Sequence, residues 1–202
     1  MEYDFNKRQF GKDVRFHKYF LKIKGNILLS KLKKLRGNIK KLNLLDIGCN
    51  NGEFEELIAH EFNKIVGIDV VRSQIKKAKF RNIPNCEFLI MNGKNLKFNE
   101  KKFDVIIIIN ILHHVSESNH FQLLKESYRV LKPKGILIIF EHNPHNPLVF
   151  LRFRYISKID KGCDMIYPRN LKNKCDLAKF KNIKIEYVLS ELWGEYCLLC
   201  KK

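Results

Sequence analysis

The sequence predicts a doubly wound α/β domain: seven strands in a mostly parallel sheet, helices on both faces, and an antiparallel hairpin at the C-terminal end. Three observations predict it. Short branched-apolar runs alternate with stretches of helical spacing. The run Val105 to Ile109 is nearly continuous Val and Ile, which suits a parallel strand buried on both faces. Finally, 45% of the 202 residues are hydrophobic, and no repeat, low-complexity tract or Pro/Gly/Ser linker divides them. One domain over 1–202 follows, with basic helices at 1–41, a core at 42–142 and a closing segment at 143–202.

Each element has its own signal. Phe16, Tyr19, Phe20 and Ile23, then Leu28, Leu32 and Leu35, follow helical spacing among Lys31, Lys33, Lys34 and Arg36, so one or two amphipathic helices precede the sheet. They pack on its edge or cover the site. Leu42 to Ile47 is the first strand, and Phe54 to Phe62 the helix after it. Ile65 to Val70 and Cys86 to Met91 are strands separated by a helix over Ser73 to Phe80. Phe103 to Ile109 is the fourth strand. Phe121 to Leu131 is helical, with Leu123, Leu124, Tyr128 and Leu131 on one face, and Gly135 to Phe140 is the fifth strand. Ile183 to Val188 alternates and, with Tyr196 to Cys200 after the turn at Trp193-Gly194, forms the closing hairpin.

Composition excludes several classes. No apolar run approaches the ~18 residues of a membrane-spanning helix. The first eight residues mix acids and bases without an apolar core, so no secretory signal is expected and the cytoplasm is the expected compartment. Six cysteines are too sparse for a disulfide scaffold, and Cys197-Leu-Leu-Cys200 has no second ligand pair, so no metal site is expected. The net charge of +18 is unevenly placed: residues 1–41 hold 13 bases against 3 acids, and 151–202 hold 12 against 6, around a nearly neutral centre. Basic ends suit a polyanion such as RNA or an anionic membrane surface, unless the excess is a general bias toward lysine.

In an open α/β sheet the ligand lies at the carboxyl ends of the strands, beside the first strand-to-helix loop. Here that loop reads Asp46-Ile47-Gly48-Cys49-Asn50-Asn51-Gly52-Glu53. A dinucleotide fingerprint beginning at Gly48 needs glycines where Asn50 and Glu53 stand, and no Gly-Lys-Ser or Gly-Lys-Thr occurs. What remains is an acid two residues before a glycine, with a second glycine at a helix start. Such a loop lets backbone approach a ligand while its carboxylate engages a cationic group.

The loop resembles the first motif of class I S-adenosylmethionine-dependent methyltransferases, and further marks follow in that family's order. Asp69 ends the second strand in Val66-Gly67-Ile68-Asp69-Val70, where the resemblance implies contact with both ribose hydroxyls. Asn92-Gly93 follows the third strand, where members commonly carry an acid facing adenine. Asn110-Ile-Leu-His113-His114 follows the fourth, and Glu126-Ser-Tyr-Arg129-Val-Leu-Lys-Pro133-Lys-Gly135 leads into the fifth. The likeness spans about residues 40 to 142 and implies a Rossmann-like fold. It also implies S-adenosyl-L-methionine as cofactor, held by Asp46, Gly48, Asn50, Gly52, Asp69, Val70, Asn92, Gly93 and Asn110. Two positions depart from the pattern. Asn50 replaces a glycine but tolerates left-handed backbone, and Asn92 replaces an acid but keeps an acceptor oxygen.

Methyl transfer from a sulfonium is an in-line displacement that depends chiefly on positioning. A hydroxyl acceptor gains from a general base, and His113 and His114 stand where the family places groups around the methyl. Glu141-His142-Asn143-Pro144-His145-Asn146-Pro147 resembles a signature of a small-molecule subset, which puts Glu141 with the two histidines among the catalytic candidates. Phe150, Phe153 and Tyr155, within 149–159, supply an apolar wall for the acceptor. The leading expectation is transfer to the oxygen of a small molecule. An RNA methyltransferase gripping phosphates with its basic ends, and a module that binds the cofactor without catalysis, are the alternatives.

Overall fold

The computed structural model describes residues 14–159, 164–188 and 194–202; the turn residue Trp193 lies outside them. Among the described residues, seven strands form one sheet in the order β3-β2-β1-β4-β5-β7-β6. They are β1 (Asn43–Ile47), β2 (Lys64–Asp69), β3 (Cys86–Ile90), β4 (Phe103–Ile109), β5 (Leu131–His142), β6 (Lys181–Val188) and β7 (Glu195–Lys201). The first five pair in parallel; β7 runs antiparallel to both β5 and β6. The closing hairpin is present, with β7 inserted between β5 and β6.

Alternate strand residues feed two cores, as the pleat requires. Leu45, Ile47, Ile106 and Ile108 face α4 (Glu117–Val130) and α6 (Pro168–Leu177) through Leu123, Leu124 and Leu171. Leu44, Val105 and Ile107 face α1 (Val14–Arg36) and α2 (Glu53–Ile58) through Leu28, Leu32, Phe54 and Ile58. Each such buried aliphatic side chain contributes about 1.5–3 kcal/mol. A third cluster, Cys49, Ile75, Ala78 and Phe88, seats α3 (Arg72–Phe80) over the β2–β3 edge.

Several boundaries differ from the sequence reading. The N-terminal periodicity is one helix of 23 residues. The expected helix 54–62 is α2 followed by a 3-10 turn, Ala59–Glu61. The fifth strand extends to Glu141 and His142, because β7 pairs with both. The sequence reading did not include α6. Glu126 and Arg129 explain their spacing: Glu126 accepts from the Leu96 N–H, and Arg129 donates to the carbonyls of Leu96 and Phe98. They pin the segment after β3 to α4 and so fix where Asn92 and Gly93 sit.

Candidate active site

The order of strands reverses between β1 and β4, and the loops at their carboxyl ends meet there. After Ile47 the backbone enters the left-handed region at Gly48 (φ 91°), Asn50 (φ 51°) and Gly52 (φ 78°). Asn50 thus occupies a conformation that Asn tolerates, which accommodates its departure from the glycine pattern. The N–H groups of Gly48 and Cys49 both donate to the Ile68 carbonyl at 2.7 and 3.0 Å, tying the loop to β2. Asp69 completes the clamp: Oδ2 accepts from the Asn50 N–H at 3.0 Å and Oδ1 from the Val71 N–H at 2.8 Å. A Cβ on Gly48 would lie 2.2 Å from Ile111 Cγ1, so the β4 loop rests directly on the glycine. A Cβ on Gly93 would lie 2.8 Å from Ile47 Cγ2, so the β3 loop approaches the same point. Asn92 is exposed, with its Oδ1 accepting from the Lys94 N–H, and Val70 is also exposed.

Two buried carboxyls lie beneath this loop. Asp46 on β1 is pushed well above the ordinary carboxyl range by burial and by neighbouring Glu55. Glu55 on α2 is raised to about 7, chiefly by burial. No donor among the described residues reaches Asp46 Oδ1 or either Glu55 oxygen.

The other side of the crevice is built on β4 and β5. His113 Nδ1 lies 2.7 Å from Glu141 Oε2, and Glu141 Oε1 accepts from the Leu112 N–H at 2.8 Å. Burial would raise the Glu141 carboxyl, but His113, His142 and the Leu112 N–H together hold it at about 2. The carboxylate therefore remains ionised, which assigns the proton of this bond to Nδ1; in the neutral imidazole Nε2 is then the acceptor nitrogen. The His114 ring lies tilted against His113 at 4.1 Å between centroids, and Phe153 contacts both His113 and His142, at 5.4 and 5.1 Å. Asn110 follows β4 at φ 53° and donates from Nδ2 to Glu195 Oε1. The same oxygen lies 2.8 Å from Lys24 Nζ, a nearly buried ion pair from α1.

The expected residues therefore gather in two groups. Asp46, Gly48, Asn50, Gly52, Asp69 and Gly93 frame the loop, while His113, His114, Glu141 and Asn110 lie across from it. Glu141 is buried and turns inward onto His113. Of the three aromatics expected to form a wall, Phe153 is buried against His113 and His142, while Phe150 and Tyr155 are exposed. Val149 and Phe153 lie one turn apart on the inner face of α5 (Pro147–Ile159), which leaves the other two outside. Glu55, Lys24 and Glu195 were not anticipated. Charged residues read as surface in a sequence, and only the apolar Phe54 and Ile58 flanking Glu55 hint at its burial.

The groups present suit S-adenosylmethionine. Asp46 Oδ1 and Asn110 Oδ1 are buried acceptors without a donor among the described residues, a need that an ammonium meets. Asp69 stands at the end of β2 where two vicinal hydroxyls can reach its remaining lone pairs, and the loop has the carboxylates of a cation site. Residues 45–139 match the family model described as a methyltransferase domain. A ubiquinone biosynthesis O-methyltransferase of Pelagibacter ubique is 36% identical over 121 residues, covering 58% of this chain and 49% of that protein. The chain thus aligns with about half the length of that relative. Another protein of that name, from Bartonella tribocorum, is 29% identical over 183 residues, covering 80% and 73%. A SAM-dependent methyltransferase from Archaeoglobus fulgidus superimposes with a TM-score of 0.71 at 21% identity, covering 88% of this chain and 94% of that one. With the motifs in order on this fold and the loop's carboxylates suited to the cofactor, residues 45–139 form a methyltransferase domain of the class I S-adenosylmethionine-dependent type.

Proposed function

We propose that the protein transfers the methyl group of S-adenosylmethionine to a hydroxyl oxygen of a small-molecule acceptor, with His113 as general base. The buried bond between His113 Nδ1 and Glu141 is the observation that carries this reading. A carboxylate fixed by a backbone N–H holds the imidazole in one tautomer, as in other base and orienter pairs. Glu141 is thus a positioning residue, acting through His113. Asp69 and the loop from Gly48 to Gly52 hold the cofactor, with Asp46, Val70, Asn92, Gly93 and Asn110 around it. When bound, the cofactor supplies an electrophilic methyl on a sulfonium. His113 Nε2 takes the acceptor proton as the oxygen becomes a nucleophile, and Glu141 stabilises the resulting imidazolium. Phe153 and the ring of His142 shield that proton from water. The names of the two O-methyltransferase relatives support an oxygen acceptor.

The test has two stages. Calorimetry measures S-adenosylmethionine binding, with Asp69→Ala expected to abolish it. Transfer of labelled methyl is then measured on panels of phenols, alcohols and amines, and on RNA. Methylation of hydroxyl compounds that His113→Ala slows 10²–10⁴-fold is the expected result. Labelling of RNA alone would replace the small-molecule acceptor with the basic-end reading, and binding without transfer to any panel would favour a non-catalytic module.

A further inference from the structure

The transfer chemistry leaves unused the two carboxyls beneath the cofactor loop. Asp46 is 2% exposed and Glu55 0%, and they project toward each other from β1 and α2. With both ionised, neither has a donor among the described residues for the oxygens named above, an arrangement that desolvation penalises heavily. One proton between them supplies the missing donor, and the resulting hydrogen bond raises Asp46 and lowers Glu55. Asp46 therefore keeps its proton, and Glu55 is the member that titrates near neutrality.

The groups facing Glu55 do not neutralise it. Asp69 from β2 adds a second negative charge, and Cys49 and Cys86 are thiols that burial and the nearby acids push upward. His17 on α1 reaches Glu53 instead. Among the described residues, Arg81, beyond α3, is the cation that lowers Glu55, and its guanidinium is engaged by Glu53, Glu56 and the Asn51 carbonyl. Three acids thus interact around the cofactor loop with too little positive charge among them. A ligand with an ammonium and a sulfonium supplies it.

We propose that Glu55 is a cofactor-recognition carboxylate that is protonated beside the protonated Asp46 in the cofactor-free protein and loses its own proton when S-adenosylmethionine binds, so that binding releases a proton. The proposal rests on the cofactor reading of the loop. The released proton passes to buffer, and the Glu55 carboxylate is left balanced by the ligand's positive charge. Affinity then rises with pH as Glu55 ionises, and levels off above its free-state titration.

The test is titration calorimetry of S-adenosylmethionine into the full chain at pH 6.5, in buffers of different ionisation enthalpy. A slope of about half a proton released is expected if the cation lowers Glu55 by about one pH unit. The dissociation constant is expected to tighten several-fold, up to about tenfold, between pH 5.5 and 7, a window in which the ligand's α-amino group, titrating at about 7.7–8.0, remains charged. Glu55→Gln is expected to bind more weakly, with no proton release and a flat profile. Asp46→Asn gives Glu55 a permanent donor and is expected to shrink the release. Binding by the wild-type protein with no proton released overturns the proposal and leaves the cofactor reading intact. Release undiminished in Glu55→Gln also overturns it. No binding at any pH by folded protein overturns both.

Discussion

Gly48→Ala tests the geometry on which the whole crevice depends. The new Cβ would stand 2.2 and 2.3 Å from Ile111 Cγ1 and Cδ1, at a φ of +91°. Positive φ costs an L residue about 1–2 kcal/mol. Displacing a packed side chain costs about 1–3 kcal/mol. Stiffening the unfolded chain returns about 0.5 kcal/mol. A net loss of about 2–4 kcal/mol lowers the melting temperature of a chain this size by roughly 4–16 °C. Scanning calorimetry of Gly48→Ala, Ile111→Ala and the double variant measures it. Removing the Ile111 side chain relieves the steric part and leaves the φ part, so the cycle should give a favourable coupling of about 1–3 kcal/mol. The single variant should also bind S-adenosylmethionine poorly, because the β4 loop must shift. A melting temperature unchanged within a degree, or additive effects in the cycle, would refute the contact between Gly48 and Ile111.

Three further outcomes follow from the same geometry. Glu141→Gln keeps the shape of the bond to His113 but removes its charge; with the carboxyl held at about 2 against an ordinary 4.5, turnover should fall by up to about 10²-fold, read from labelled-methyl transfer. Lys24→Met leaves the nearly buried Glu195 without its lysine counter-charge and should cost about 3–5 kcal/mol in urea unfolding, most of it restored by adding Glu195→Gln. Glu55 is raised in the folded state, so its contribution to stability is fully present below the unfolded value near 4.5 and lost as pH rises through about 7; Glu55→Gln should therefore stabilise the cofactor-free protein at pH 8 by roughly 3 kcal/mol and change little at pH 4, read as melting temperature against pH.

Most of the sheet was legible because branched-apolar strands and helical spacing announce themselves locally. The cofactor loop was legible for the same reason: Asp46, Gly48, Gly52 and Asp69 lie in two short segments, each ending a strand. α6 was not, because Arg169, Lys172, Lys174 and Asp176 dominate it and only Leu171 and Cys175 mark its inner face. The pairing of Glu141 with His113 joins residues 28 apart, and that of Lys24 with Glu195 joins opposite ends of the chain. Such partners are set by sheet order, which periodicity does not encode. Glu55 was hidden for another reason: a carboxylate in the first turn of a helix usually marks a solvated, dipole-stabilised position, and here it is buried.

The insertion of β7 between β5 and β6 has a kinetic consequence. Asn110 and Lys24 both hold Glu195, the first residue of β7, so the crevice acquires that anchor only after α1 and β7, from opposite ends of the chain, have met. Non-local pairings of this kind close late, after the loop-closure entropy has been overcome. During folding, the parallel half of the sheet can therefore consolidate while the β4–β5 side of the crevice is still open, and assembly of the β6–β7 ribbon is the step that completes it.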